Sequence, residues 1–119
     1  MKKRMTITID KIDKGLIKGQ LVAEGKGKGV KVKFDIIENL YNIKDNKIII
    51  EIRETPPAKL DKYIFCGHGY EVVEPKADAF KERNYTIISV WGILFRFEPK
   101  LSDIEPNKKY YICIKPASQ

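Results

Sequence analysis

Alternation with a period of two governs this chain. In residues 29–36, Val30, Val32, Phe34 and Ile36 fall on one face of an extended backbone, and Lys31, Lys33 and Asp35 fall on the other. A segment of that kind is a strand with one buried face. Residues 47–53 repeat it, with Ile48, Ile50 and Ile52 opposite Lys47, Glu51 and Arg53, and Asp45-Asn46 supplies the turn before them. Met5, Ile7 and Ile9 alternate with Thr6, Thr8 and Asp10. A second strand is expected over 16–24, joined to the first by a tight hairpin at Lys14-Gly15. Further strands are expected near 63–66, 69–74, 85–98 and 110–115.

No long helix fits between these segments. Residues 37–42 and 77–82 have room for a helical turn or two, too short for a core-facing helix of ordinary length. Pro56, Pro57, Pro75, Pro99 and Pro106 all fall between the expected strands, where a missing N–H breaks no ladder. Seven to nine short strands separated by turns predict an all-β architecture, an antiparallel barrel or sandwich. Residues 85–98 are about twice the usual strand length and are interrupted by Gly92. Small barrels need a corner in any strand shared between two parts of the wall, and Gly92 is placed to supply one, with a tight turn at Trp91-Gly92 as the alternative.

At 119 residues with 43% hydrophobic content, the chain has enough apolar material for one core, and no repeat or linker divides it. We therefore read residues 1–119 as one barrel domain, with basic N-terminal strands over 1–36. No run approaches the ~18 apolar residues that a membrane-spanning helix requires. The two cysteines, Cys66 and Cys113, allow at most one bridge, and the lack of a disulfide framework favours a reducing cytoplasm. The net charge of +7 has one origin: residues 1–33 carry ten Lys and Arg against three acids, and the remaining 86 residues balance. Such a one-sided field attracts a phosphate backbone or an acidic protein surface. Lysines filling the solvent face of strands are the plainer account.

The candidate sites narrow quickly. Gly25-Lys26-Gly27-Lys28-Gly29 lacks the order of a phosphate-binding loop, and no helix follows it. It reads as an exposed, flexible basic connection. With Lys31 and Lys33, its Lys26 and Lys28 are the candidate nucleic-acid contacts. Cys66, His68 and Cys113 offer three soft ligands where a tetrahedral zinc site needs four, and the two cysteines are read as small buried hydrophobes. No nucleophile–base pair with an orienting third group is evident, and the acids are scattered singly over strand faces as solvated groups are. The aromatic residues could stack bases, but most keep step with aliphatics and are assigned to the core. A small hydrolase or metal enzyme is set aside.

Three stretches go further. Tyr63-Ile-Phe-Cys-Gly-His-Gly-Tyr-Glu-Val-Val-Glu74, Ile88-Ser-Val-Trp-Gly-Ile-Leu-Phe-Arg-Phe-Glu98 and Tyr110-Tyr-Ile-Cys-Ile-Lys115 resemble, in order and spacing, the C-terminal half of the DNA-directed RNA polymerase subunit 8 family, in particular its archaeal form, also called the G subunit. Gly67, Gly69, Tyr70, Ser89, Gly92, Leu94 and Arg96 are the positions that fit the family pattern. Trp91 joins them as a possible partner contact. Val30 to Ile36 and Lys47 to Ile52 agree more loosely, so the resemblance spans about 5–115, with the family-specific strands over 63–115. The short 55–60 connection stands where eukaryotic members carry a long acidic loop.

The resemblance implies a barrel of the oligonucleotide/oligosaccharide-binding (OB) type. It also implies a non-catalytic structural subunit, cytoplasmic, docking on the largest subunit of the polymerase near its pore. No cofactor or small-molecule substrate is expected on this chain, because catalytic magnesium belongs to the large subunits. The rival reading is a free-standing, single-stranded nucleic-acid-binding OB-fold protein that uses the basic quarter.

Overall fold

The alternating apolar residues find a common interior in a closed antiparallel barrel of eight strands. The computed structural model describes residues 2–73 and 84–117. In chain order the strands are β1 (Lys2–Lys14), β2 (Gln20–Gly27), β3 (Val30–Ile37), β4 (Lys47–Arg53), β5 (Phe65–Glu71), β6 (Thr86–Val90), β7 (Ile93–Glu98) and β8 (Tyr110–Pro116). Around the wall they follow the order β1-β2-β3-β7-β6-β5-β8-β4, and β4 closes on β1. No helix occurs among the described residues. The expected all-β antiparallel barrel is what forms.

Burial follows the period of two. Val32, Phe34 and Ile36 of β3, Ile48, Ile50 and Ile52 of β4, and Phe95 and Phe97 of β7 all point inward and are almost fully buried. Phe34 stacks on Phe95 with ring centroids 5.4 Å apart across the β3–β7 seam. The two ends are plugged by side chains. At one, Tyr41 packs against Phe65 and its hydroxyl donates to the Asp35 carbonyl at 2.6 Å. Burial, then the nearby Asp35 charge, hold its phenol well above the usual tyrosine range. At the other end Leu101, Ile104 and Tyr110 are buried, and the Tyr110 hydroxyl accepts from the Glu105 N–H at 2.9 Å.

Several sequence expectations change in detail. The first hairpin is not a tight turn at Lys14-Gly15: β1 runs on to Lys14, residues 15–19 form the loop, and Leu16 and Ile17 stand exposed at its tip. The basic glycine segment is not a flexible loop either. Gly25, Lys26 and Gly27 lie within β2, and only Lys28-Gly29 turn the chain into β3. Residues 37–42, expected to hold a helical turn or two, make one turn and no helix, the Leu40 and Tyr41 N–H groups both donating to the Ile37 carbonyl. The two strands expected over 63–66 and 69–74 are one, β5, which ends at Glu71. The expectations for Pro75 and for 77–82 lie outside the described residues.

The 85–98 segment is a hairpin, so the tight-turn alternative holds and the corner reading of Gly92 does not. Trp91 and Gly92 both have positive φ, 54° and 88°, and form a two-residue connection closed by the Val90–Ile93 pair. The corner lies in β1 instead. Residues 2–8 of that strand pair with β4, residues 8–14 pair with β2, and the register shifts between Ile9 and Lys11. A bulge there lets one thirteen-residue strand serve two stretches of wall.

Of the two cysteines expected to be small buried hydrophobes, Cys113 is fully buried and Cys66 only partly so. Cys66 of β5 faces Cys113 of β8 in direct register, and the two form a disulfide across 47 residues of sequence. Alternation sends both sulfurs outward, to the side away from Phe65 and Ile112, so they do not contribute to the barrel interior.

Candidate functional site

The outer wall, where alternation leaves the polar side chains, divides into two chemically different faces. The first spans β2, β3 and β7. Register places Lys26 opposite Lys31, Lys31 opposite Glu98, Glu24 opposite Lys33, and Lys33 opposite Arg96. Lys26, Lys31 and Lys33, expected as nucleic-acid contacts, therefore share one wall with Arg96, which the sequence had placed in a separate motif. Lys28 sits apart, at the hairpin turn. A groove of about 410 Å³ runs between these residues.

That face is cationic but interrupted. Asp10, Glu24 and Glu98 line the same groove. Lys11 bridges Asp13 and Glu24 at 3.4 and 3.5 Å, and Arg96 lies 3.7 Å from Glu98. Hydrogen bonding to Asp13, reinforced by both carboxylate charges, raises the Lys11 ammonium above its ordinary range. The Arg96 guanidinium also lies over the Tyr85 ring, 4.3 Å from its centroid. The positive field that the lysine count predicts is thus partly answered by acids on neighbouring strands.

The second face spans β5, β6 and β7. The family-pattern residues Tyr70, Ser89 and Leu94 stand in one row, since Tyr70 pairs with Ser89 and Ser89 with Leu94. Tyr70 and Leu94 are about half exposed. The Leu94 N–H is held by the Asp35 carboxylate at 3.0 Å, which ties the row to β3. Below the row the strands approach too closely for side chains: a Cβ on Gly69 would collide with the Ser89 carbonyl. Gly67 faces inward in the same strand, against the Val90 and Trp91 side chains. Gly92 shares the turn that presents Trp91.

Trp91 is the most unusual residue of this face. A bulky side chain at φ 54° is sterically disfavoured, yet the residue is 61% exposed. Its ring meets His68 edge-on at 5.8 Å, and His68 meets Tyr111 at 5.8 Å. Lys109 lies 5.5 Å over the Tyr111 ring. This chain of rings was not anticipated, because it depends on β5 pairing with β8, a contact between distant segments that local alternation does not specify.

Glu51 was misread as solvated. It is fully buried on the outer side of β4, and its Oε1 accepts from the Tyr63 hydroxyl at 2.9 Å and from Arg53 at 3.1 Å. Lys115 and Lys2 lie 3.5 and 3.9 Å from Oε2. Burial pushes the carboxyl pKa upward, but the hydrogen bonds from Tyr63 and Arg53 and the two lysine charges outweigh it and hold the group below the usual carboxylate range. The sequence carried one signal: Ile49 interrupts the polar face of β4 and is itself buried. Among the described residues no group of three or more His, Cys, Asp and Glu side chains is arranged to hold a metal, and no helix is long and apolar enough to cross a membrane.

A closed barrel with a broken basic wall, a half-exposed apolar row and a projecting tryptophan belongs to the class of all-β barrels whose distinctive chemistry lies on the outer surface. Comparison with known proteins gives the family. The family model for the G subunit of DNA-directed RNA polymerase, RpbG, matches residues 2–117, and the chain belongs to that family. It is 29% identical over 121 residues to the DNA-directed RNA polymerase subunit Rpo8 of Saccharolobus solfataricus, covering 93% of this chain and 90% of the relative. It is 27% identical over 122 residues to the Rpo8 subunit of Saccharolobus shibatae, covering 93% and 91%.

Proposed function

We propose that the chain is a non-catalytic structural subunit of a DNA-directed RNA polymerase in the cytoplasm. In this reading it docks on the largest subunit, supports the pore region, and does so as a single barrel domain. The observation that carries the reading is the row Tyr70–Ser89–Leu94, flanked by Trp91, in a chain that matches the RpbG family over 2–117. Exposed tyrosine and tryptophan on a rigid sheet are the anchors that protein interfaces use, because they bring large apolar area at small entropic cost, and Leu94 extends the apolar area beside them. Ring closure gives every strand two neighbours, so docking rests on side chains more than on a free strand edge. The catalytic magnesium and its carboxylates are assigned to the large subunits.

The test is co-expression with the largest subunit. A stoichiometric complex is expected, with recovery reduced by Tyr70→Asp combined with Leu94→Asp while the β-type circular dichroism persists. A chain that elutes alone in every trial would overturn the proposal.

A second reading, a single-stranded nucleic-acid binder, is favoured by the convergence of Lys26, Lys31, Lys33 and Arg96 on one wall. The acids in the same groove count against it.

A further inference from the structure

The β5 strand is the least evenly held element of the wall. Toward β8 it pairs over five positions, from Phe65–Ile114 to Gly69–Tyr110. Toward β6 it pairs only at Tyr70 and Glu71, with one further bond from the Val72 N–H to the Ile87 carbonyl. Residues 65–68 thus have a registered strand on one side alone, and Gly69 lies against the Ser89 backbone where β6 crosses. On the other side Gly67 meets the Val90 and Trp91 side chains in place of a ladder. Whatever fixes β5 to β8 in this stretch fixes the whole section.

Cys66 and Cys113 sit inside that five-position ladder, in direct register. Cys113 is fully buried, whereas Cys66 retains partial exposure, so Cys66 is the solvent-side member of the pair. On β5 the residues that share the outward face of Cys66 are His68 and Tyr70, two and four positions on. His68 is the ring that meets Trp91 edge-on, and Tyr70 begins the exposed apolar row. A covalent bond at Cys66 therefore anchors the strand that carries one docking anchor and supports another.

We infer that Cys66 and Cys113 form a thiol–disulfide exchange site that latches β5 to β8 and sets how firmly the Tyr70 and Trp91 surface is presented to a partner. In the opening direction, a dithiol reductant attacks the pair: the protein sulfur–sulfur bond breaks, two protein thiols form, and the reductant leaves as its own disulfide. In the closing direction a low-molecular-weight disulfide accepts the two electrons and two protons that the protein thiols give up, and is released as two thiols. The inference rests on the docking role proposed above for its consequence, but the latch itself does not.

The experiment has two arms that separate those parts. In the first, the chain is equilibrated with oxidised glutathione or with dithiothreitol, alkylated and weighed, and its thermal unfolding is followed in both states. We expect no alkylatable thiol after oxidation, two after reduction, and a midpoint ~5–15 °C higher when oxidised. The double variant Cys66→Ser with Cys113→Ala should unfold at one temperature in both media. Two free thiols after oxidation, or equal midpoints for bridged and reduced wild type, would overturn the latch. In the second arm, capture by the largest subunit is compared for the two redox states, and reduction should weaken it about fivefold or more. Equal capture in both states overturns the link between latch and docking. Absence of capture in both overturns the docking role, and the unfolding arm then decides the latch alone.

Discussion

The Tyr63 hydroxyl donates to Oε1 of Glu51 at 2.9 Å, so a residue from the connection after β4 closes over a carboxylate on the outer side of that strand. Arg53, Lys115 and Lys2 complete the cluster and bring β1, β4 and β8 together around one charge. A buried carboxylate is tolerable only when such partners compensate its lost hydration.

The cluster makes stability depend on acid. Because the folded pKa of Glu51 lies below its ordinary value of 4.5, the folded state binds its proton less readily than the unfolded one. Its contribution is present above that ordinary value and is lost as pH falls through the lower folded value. Glu51→Gln should therefore destabilise the barrel by about 1–3 kcal/mol near neutrality, with the difference from wild type shrinking below the ordinary value. Denaturant unfolding of both proteins between pH 7 and pH 3 measures this.

Gly69 admits no side chain where β6 crosses. Gly69→Ala forces a methyl group against the Ser89 carbonyl, part of a backbone that must move to make room. We expect a loss of about 3 kcal/mol, seen as a lower denaturant midpoint with an unchanged slope. Gly29→Ala at the β2–β3 turn meets no atom but strains a φ of 73°, and should cost about 1 kcal/mol.

Much of the barrel could be read from alternation, because a half-buried strand writes its inner face directly into the sequence. Val32, Phe34, Ile36, Ile48, Ile50 and Ile52 are core residues in both readings. The 85–98 hairpin was harder. Inward positions are even through Thr86, Ile88 and Val90 and become odd at Ile93, Phe95 and Phe97, as a two-residue turn requires. Ile87 beside Ile88 hid that switch, and tryptophan occupies a turn position that favours asparagine or glycine. The β5–β8 pairing, and with it the cysteine bridge and the His68–Tyr111 contact, joins segments more than forty residues apart through a register no local pattern encodes. Glu51 was misjudged because burial of the outer side of β4 comes from Tyr63 and the groups around it.

Trp91 separates stability from docking. Trp91→Gly removes the strain of a bulky residue at φ 54° but also removes the edge contacts with Phe65 and His68. These oppose each other, so unfolding free energy should change by only about 1 kcal/mol. Capture by the largest subunit should fall about tenfold or more. Paired unfolding and capture measurements on the same preparation distinguish the two effects.

The basic wall makes its own prediction. Lys31→Gln with Lys33→Gln removes two cations from the wall and leaves Lys11 on Glu24 and Arg96 near Glu98, and should lower the salt dependence of any single-stranded nucleic-acid binding by about 0.7 in log–log slope for each phosphate no longer neutralised. Fluorescence titration of an oligothymidylate at several salt concentrations measures that slope. Binding weaker than about 10⁻⁴ M at physiological salt marks it as non-specific.

The most direct measurement is stoichiometry: co-express the chain with the largest polymerase subunit, purify through a tag on the large partner, and weigh the complex. One barrel per large subunit is expected, with the signal reduced when Tyr70 and Leu94 are both changed to aspartate and kept when Lys31 and Lys33 are neutralised. A barrel that folds normally but never travels with the large subunit, or whose retention depends on the lysines and not on the apolar row, would contradict it.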